Sequence, residues 1–168
     1  RNGHKDVVQL LLDHFERIDL NAKNMDGMTA FMRACRNGHK DVVQLLLDHS
    51  DKIELNAKTN TGLTAFMRAC QNGHKDVVRL FLDDFDKIEL NAKDGYGMTA
   101  FICACQNGHK DVVQLLLDHS DKIELNTKDE DGFTAFLRAC QNGHKDVVRL
   151  LLDNSDKIEL NAKTNRRL

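Results

Sequence analysis

Cys35 and His39 stand four residues apart, and the pair recurs as Cys70/His74, Cys105/His109 and Cys140/His144. A thiolate and an imidazole four apart on one helix could share a zinc ion. Gly38 falls between them, however, and a glycine there ends a helix rather than continuing it. The cysteine also belongs to a stripe of alanine and phenylalanine. The pairs therefore read as a small core residue followed by a turn histidine, and no metal is expected. Cys103 and Cys105 are two apart, which on a helix sends them to different faces. Cys103 takes the place of the arginine found at 33, 68 and 138, so it is expected to be the more exposed thiol and the first to react. His14, His49 and His119 fall at the end of a predicted helix, where an imidazolium suits the dipole. No Ser-His-Asp set, carboxylate pair or phosphate-cradling glycine loop stands out, so neither an active site nor a cofactor is expected.

The elements that position these residues repeat. Asn-Gly-His-Lys-Asp-Val-Val begins at Asn2, Asn37, Asn72, Asn107 and Asn142, a period of 35 residues. Residues 1–35, 36–70, 71–105 and 106–140, superposed, agree at 20 of 35 positions in all four. A fixed period of that size is the mark of a stacked array whose core grows with repeat number. Apolar residues make up 41% of the 168-residue chain and charged residues 30%, with a formal net charge of −2. This balance gives no general attraction to nucleic acid or to an anionic membrane. No apolar run approaches the ~20 residues of a membrane span. Cys35, Cys70, Cys105 and Cys140 share one repeat position, and equivalent positions in stacked helices lie roughly 10 Å apart. A disulfide needs Cα atoms within about 7 Å. Reduced thiols point to a cytoplasmic location, with the nucleus as the alternative.

One unit, residues 24–58, illustrates the local logic. Asn24 to Met28 is a polar, glycine-containing turn, and Thr29 is a good N-cap. Ala30, Phe31, Ala34 and Cys35 make one stripe of a short helix, which Asn37-Gly38 ends. A second helix starts near His39 with Asp41 in its first turn, and Val42, Val43, Leu46 and Leu47 form its stripe. Ile53 and Leu55 alternate, predicting a short extended stretch. First helices are expected near 29–36, 64–71, 99–106 and 134–141, and second helices near 5–14, 39–49, 74–84, 109–119 and 144–154. Phe31, Phe66, Phe101 and Phe136 are expected to be buried.

The run Gly27-Met28-Thr29-Ala30-Phe31-Met32-Arg33-Ala34-Cys35-Arg36-Asn37-Gly38-His39, followed by Val42-Val43-Gln44-Leu45-Leu46-Leu47, resembles the ankyrin repeat. The likeness recurs in phase over essentially the whole chain. It implies an all-α solenoid of stacked helix-turn-helix units with finger-like loops. Residues 1–168 then form a single array of about five repeats. The first lacks its first helix and the last is truncated, as in a fragment of a longer array. Three departures stand out. Proline is absent, with Ala30, Ala65, Ala100 and Ala135 in its place. The family's first histidine is Met32, Met67, Ile102 or Leu137, so stacking is expected to rest more on apolar contact than on a hydrogen-bond ladder. The loop after the second helix is longer, which explains 35 rather than 33 residues. The uniformity also suits an engineered, consensus-like scaffold. Five cysteines and no proline favour a natural, recently duplicated array.

The resemblance further implies a protein–protein interaction module, an adaptor or scaffold, that holds a partner in a concave groove of fingers and first helices. The alternative is a regulatory array of a larger enzyme or channel. Repeat-to-repeat differences concentrate at the fingers, and the residue after each finger glycine is apolar: Met28, Leu63, Met98 and Phe133. Such residues either face a partner or pack over the next first helix. With them, Met25, Arg33, Arg36, Arg68, Tyr96, Glu130 and Arg138 complete the groove candidates. Tyr96, the chain's one tyrosine, sits between Gly95 and Gly97. The family's hydroxylated asparagine aligns with Asn56, Asn91 and Asn126, although a loop-holding role through side-chain bonds to backbone is the simpler reading. The partner is expected to be a protein, without nucleic acid or membrane insertion. End-to-end self-association through uncapped termini is a further expectation.

Overall fold

The computed structural model describes residues 4–84 and 87–164, so the terminal residues on which the expectation of cut boundaries rests lie outside it. Among the described residues the regular elements are helices, in two layers. The first helices are α2 (Ala30–Arg36), α4 (Ala65–Gln71), α6 (Ala100–Gln106) and α8 (Ala135–Gln141). The second helices are α1 (Lys5–Asp13), α3 (Lys40–Leu47), α5 (Lys75–Asp84), α7 (Lys110–Asp118) and α9 (Lys145–Asp153). A single 3-10 turn, Phe15–Arg17, follows α1. Ile53 and Leu55 are both buried, as their alternation predicts, but in a tight turn rather than an extended stretch.

Each first helix starts at a threonine. Thr29, Thr64, Thr99 and Thr134 accept from the N–H three residues on at 3.2, 3.3, 3.4 and 3.4 Å. The hydroxyl thus satisfies an amide the helix leaves orphaned. Each first helix ends on a glycine in the left-handed region, with φ +72° at Gly38. There Gly38 N–H donates to Cys35 O at 3.3 Å and His39 N–H to Ala34 O at 3.1 Å. This double bond pattern reverses the chain without stranding carbonyls.

Like packs on like: α2, α4, α6 and α8 form one row, and α1, α3, α5, α7 and α9 the other. Contact is more extensive along the first-helix row. Its facing residues are small, Ala34, Cys35, Ala69, Cys70, Ala104 and Cys105, and all are buried. Small side chains let backbones approach, and a stack drawn closer on one side curves toward it. Phe31, Phe66 and Phe101 are buried between the rows, while Phe136 is half-buried in the last described pair. Phe81 of α5 takes a position held elsewhere by leucine, and its ring meets Phe31 and Phe66 edge-on, with centroids 5.9 and 5.6 Å apart.

Polar clips join the repeats beside the apolar contact. Asn56 Nδ2 donates to Lys87 O at 2.7 Å, and its Oδ1 accepts from Glu89 N–H at 2.9 Å. Asn21, Asn91 and Asn126 make the same pair of bonds to the following repeat. A second ladder uses the turn histidines: the Nε2 atoms of His74, His109 and His144 each lie 2.8 Å from the carbonyl of Arg36, Gln71 or Gln106 in the preceding repeat. The glycines make room for it, since a Cβ at Gly38, Gly73 or Gly108 would fall within 2.6 Å of that imidazole's Nδ1, at 2.4, 2.5 and 2.5 Å.

Phe101→Ala is expected to cost about 3–5 kcal/mol in urea denaturation. Amide exchange should quicken in the repeats on both sides of it, since each repeat is held by its neighbours. Asn91→Ala removes two inter-repeat bonds and is expected to cost roughly 1–2 kcal/mol. Its signature is faster exchange of the Glu124 amide, whose acceptor is Asn91 Oδ1.

Candidate functional site

The fingers at 24–28, 59–63, 94–98 and 129–133 fold as small closed loops. In the first, Asn24 N–H donates to Met28 O at 3.0 Å, and Asn24 Oδ1 accepts from the N–H groups of Asp26 and Met28 at 3.0 and 2.8 Å. Thr59, Asp94 and Asp129 supply the same kind of acceptor in the others. The glycines Gly27, Gly62, Gly97 and Gly132 turn each loop with positive φ. Successive fingers are then laced through their backbones: Asn60 N–H to Asp26 O, Gly95 N–H to Thr61 O, and Glu130 N–H to Tyr96 O, at 3.0, 2.9 and 3.0 Å. The result is a strip laced through its backbone, with Asn60 Nδ2 adding a side-chain bond to Met25 O at 2.8 Å, while Met25 and Tyr96 point their side chains to solvent.

At those tips Met25 is 97% exposed and Tyr96 64%. Glu130 is exposed beside them. The residues after the finger glycines lie elsewhere. Met28 and Leu63 are 5% and 8% exposed and belong to the core, so at these two positions packing over the first helices is what the fold uses. Met98 and Phe133 are half-buried against the same core or its edge. Being apolar in all four repeats is explained by burial at two of the positions, and the sequence alone carries no signal that separates burial from display.

The basic candidates divide. Arg33 and Arg36 are exposed on α2. Arg68 is half-buried on α4, with Nη1 donating to Gln71 Oε1 at 3.1 Å and Nε buried without a hydrogen-bond partner. Burial lowers the pKa of this guanidinium, and the like charge of Arg36 acts in the same direction. Arg138 is held by its own finger. Its Nε donates to Asp129 Oδ2 at 2.6 Å and its Nη2 to Asp131 Oδ2 at 3.1 Å, while its guanidinium lies 4.5 Å from the centre of the Phe133 ring. Asp129 is thus a buried cap and anchor rather than displayed charge.

The cysteine expectation is overturned. Cys103 is fully buried, and Cys140 is the exposed thiol. An arginine at this register position reaches solvent on a long stem. A cysteine has no stem and stays between the helices. Burial, with the Asp94 carboxylate nearby, pushes the Cys103 thiol up to about 12. Burial likewise raises Cys35, Cys70 and Cys105 well above the ordinary thiol range, and Cys140 is raised too. In the pairs Cys70/His74 and Cys105/His109 the thiol is turned inward and the imidazole lies on the preceding repeat's carbonyl; in the fourth pair His144 does the same while Cys140 is exposed. Among the described residues no cluster of metal-ligating side chains forms, and no helix is long and apolar enough to cross a membrane. Asn56, Asn91 and Asn126 have both polar atoms of the amide engaged by the next repeat.

A family model described as ankyrin repeats (3 copies) matches residues 1–94 and 87–164. No curated protein matches the chain.

Thiol titration of the folded protein is expected to modify Cys140 first and alone. At pH 8 a thiol with a pKa near 12 is only ~10⁻⁴ ionised, so Cys103 should react only when denaturant opens the stack. Fast reaction at Cys103 in the native state would contradict its placement between the helices.

Proposed function

The chain belongs to the ankyrin-repeat family, and we propose that it is an adaptor or scaffold module that captures a protein partner along the finger strip and the adjoining first helices. Ankyrin repeats generally serve protein–protein interaction, and the fold is typically non-catalytic. The observation that carries the reading is the pair Met25 and Tyr96. They are large, apolar or aromatic, and exposed on loops whose backbone bonds are already made. Such side chains are the usual anchors of an interface. Met98 adds a half-buried apolar floor beside Tyr96, and Arg33, Arg36 and Arg68 supply charge toward one end, with Glu130 toward the other. Met28 and Leu63 support the strip from beneath, and Arg138 serves its own finger. Capture needs no covalent step. Five free thiols support a reducing, cytoplasmic setting. Hydroxylation of Asn56, Asn91 or Asn126 would require the amide clip to open, and the clip is the role we carry forward.

A separate observation supports end-on association. Val7, Leu10, Leu11 and Phe15 are exposed at one end of the described stack, next to cavities of about 240 and 210 Å³ lined by residues such as Val8, Ala30 and Val42. Leu152 is exposed at the other end. Light scattering at rising concentration is expected to show growth beyond the monomer, and Leu11→Glu should suppress it. A strict monomer at high concentration would remove this reading.

For the groove, affinity capture with quantitative mass spectrometry is the test. Tyr96→Ala and Met25→Ala are each expected to lower capture by about 30-fold, the equivalent of ~2 kcal/mol at an interface anchor, with the melting temperature nearly unchanged. Lys87→Ala, on the exposed loop away from the fingers, should leave capture intact. Equal loss from both sets would show that the strip is not the binding face.

A further inference from the structure

The arginines of the first-helix row stand at equivalent or adjacent register positions, yet the fold treats them differently. Both ion pairs among the described residues belong to Arg138. Its Nε and Nη2 both meet Asp129 Oδ2, and Nη2 also meets Asp131 Oδ2, two residues on in the same loop. In the second repeat the same helix position is Arg68, and the aligned finger residues are Thr59 and Thr61. Thr59 spends its hydroxyl on Leu63 N–H and on Thr61. No carboxylate is supplied from this finger, and Arg68 Nε, the atom that Asp129 satisfies in the fourth repeat, is buried and unpartnered. Arg36 brings a second cation alongside, and Arg33 is the exposed equivalent on the preceding helix.

A buried guanidinium N–H without an acceptor is an unfavourable arrangement that a carboxylate relieves; Arg36 adds like charge to it, and Asp26 of the preceding finger offsets part of that charge. The fourth repeat shows which ligand this position accepts: a carboxylate–x–carboxylate loop, the first carboxylate on Nε and Nη2 and the second on Nη2. We propose that the groove over the first two repeats binds a segment of a protein partner carrying two acidic residues separated by one, with Arg68 as the fork and Arg33 and Arg36 beside it. The proposal rests on the groove reading above and specifies the chemistry of its partner. It also gives the partner a direction. Arg138 is already neutralised, Glu130 is exposed on the last finger, and Cys103 interrupts the arginine row, so an acidic segment is favoured at one end and disfavoured at the other. The overall charge of −2 argues against a general polyanion site.

The test is an NMR titration of the whole chain, watching the arginine Nε–Hε signals, with N-acetyl-Asp-Gly-Asp-amide as probe. N-acetyl-Asn-Gly-Asn-amide and a single-stranded thymidine oligonucleotide serve as comparison probes. The acidic peptide is expected to shift Arg68 saturably and to leave Arg138 unmoved, the amide peptide to shift neither, and added salt to weaken the effect. Arg68→Gln and Arg68→Lys should each lower affinity at least fivefold, the lysine variant because it keeps the charge but loses the fork. Asp129→Asn with Asp131→Asn should free Arg138 and create a second saturable shift there. Asparagine already caps the first finger at the aligned position, Asn24, so this variant keeps its loop. An equal response to the amide peptide, tighter binding of the oligonucleotide than of the acidic peptide, or an unchanged Arg138 in the double variant would each overturn the proposal. Partner capture separates the two levels. Loss with Tyr96→Ala but not with Arg68→Gln overturns the acidic-segment proposal and leaves the groove standing, whereas no loss with Tyr96→Ala overturns the groove reading itself.

Discussion

No unit of this chain can cover its own apolar face, and everything else follows from that. The same residue in the same local structure is buried or exposed according to whether a neighbour is there. Val42 is 5% exposed and its counterpart Val7 54%; Leu12 is 2% exposed and its counterpart Leu152 47%. Helix propensity and capping are alike in each case, so the difference is purely one of stacking. Cooperativity in such an array is the sum of these shared faces, which explains why the stripe residues repeat with a 35-residue period while the fingers do not.

Stacking of apolar faces sets distance but not register, because a greasy surface can slide. The polar clips supply the register. Asn21, Asn56, Asn91 and Asn126 each grip one carbonyl and one amide of the next loop, and His74, His109 and His144 each reach back to one carbonyl of the previous helix. Neither clip tolerates a shift of one residue. Gly38, Gly73 and Gly108, each placed before a turn histidine, serve both layers of this logic. Each ends its own helix at positive φ, and its missing Cβ is the space in which the next repeat's imidazole lies.

The finger strip is built on the same division of labour. Side-chain caps and backbone lacing hold the loops, and Met25, Tyr96 and Glu130 are left exposed at the tips. Sequence variation can therefore accumulate at Met25, Tyr96 and Glu130 without cost to the stack. The arginine row records the opposite case, in which the last finger's acids satisfy the helix beneath it while the second finger, with Thr59 and Thr61, leaves Arg68 Nε without an acceptor.

Much of this was legible in the residues. The period, the threonine caps, the glycine stops and the two stripes follow from rules that act over a few neighbouring residues, and the helices fall within a residue or two of their expected limits. What the sequence did not contain was direction across the stack. Cys103 looked displayed because its aligned partners are arginines, yet a short side chain at that backbone position cannot reach the surface. Met28 and Leu63 looked like candidates for contact because apolar side chains are equally suited to a core and to an interface, and only the neighbouring repeat decided between the two. The burial of Asp129 depends on Arg138, nine residues on, being folded over it. The sequence by itself determined the unit and its repetition, because caps, turns and periodicity are local. Only the tertiary structure decided which side chains were spent on neighbouring repeats and which were left over, because that depends on atoms about 35 residues away in the chain and one helix diameter away in space.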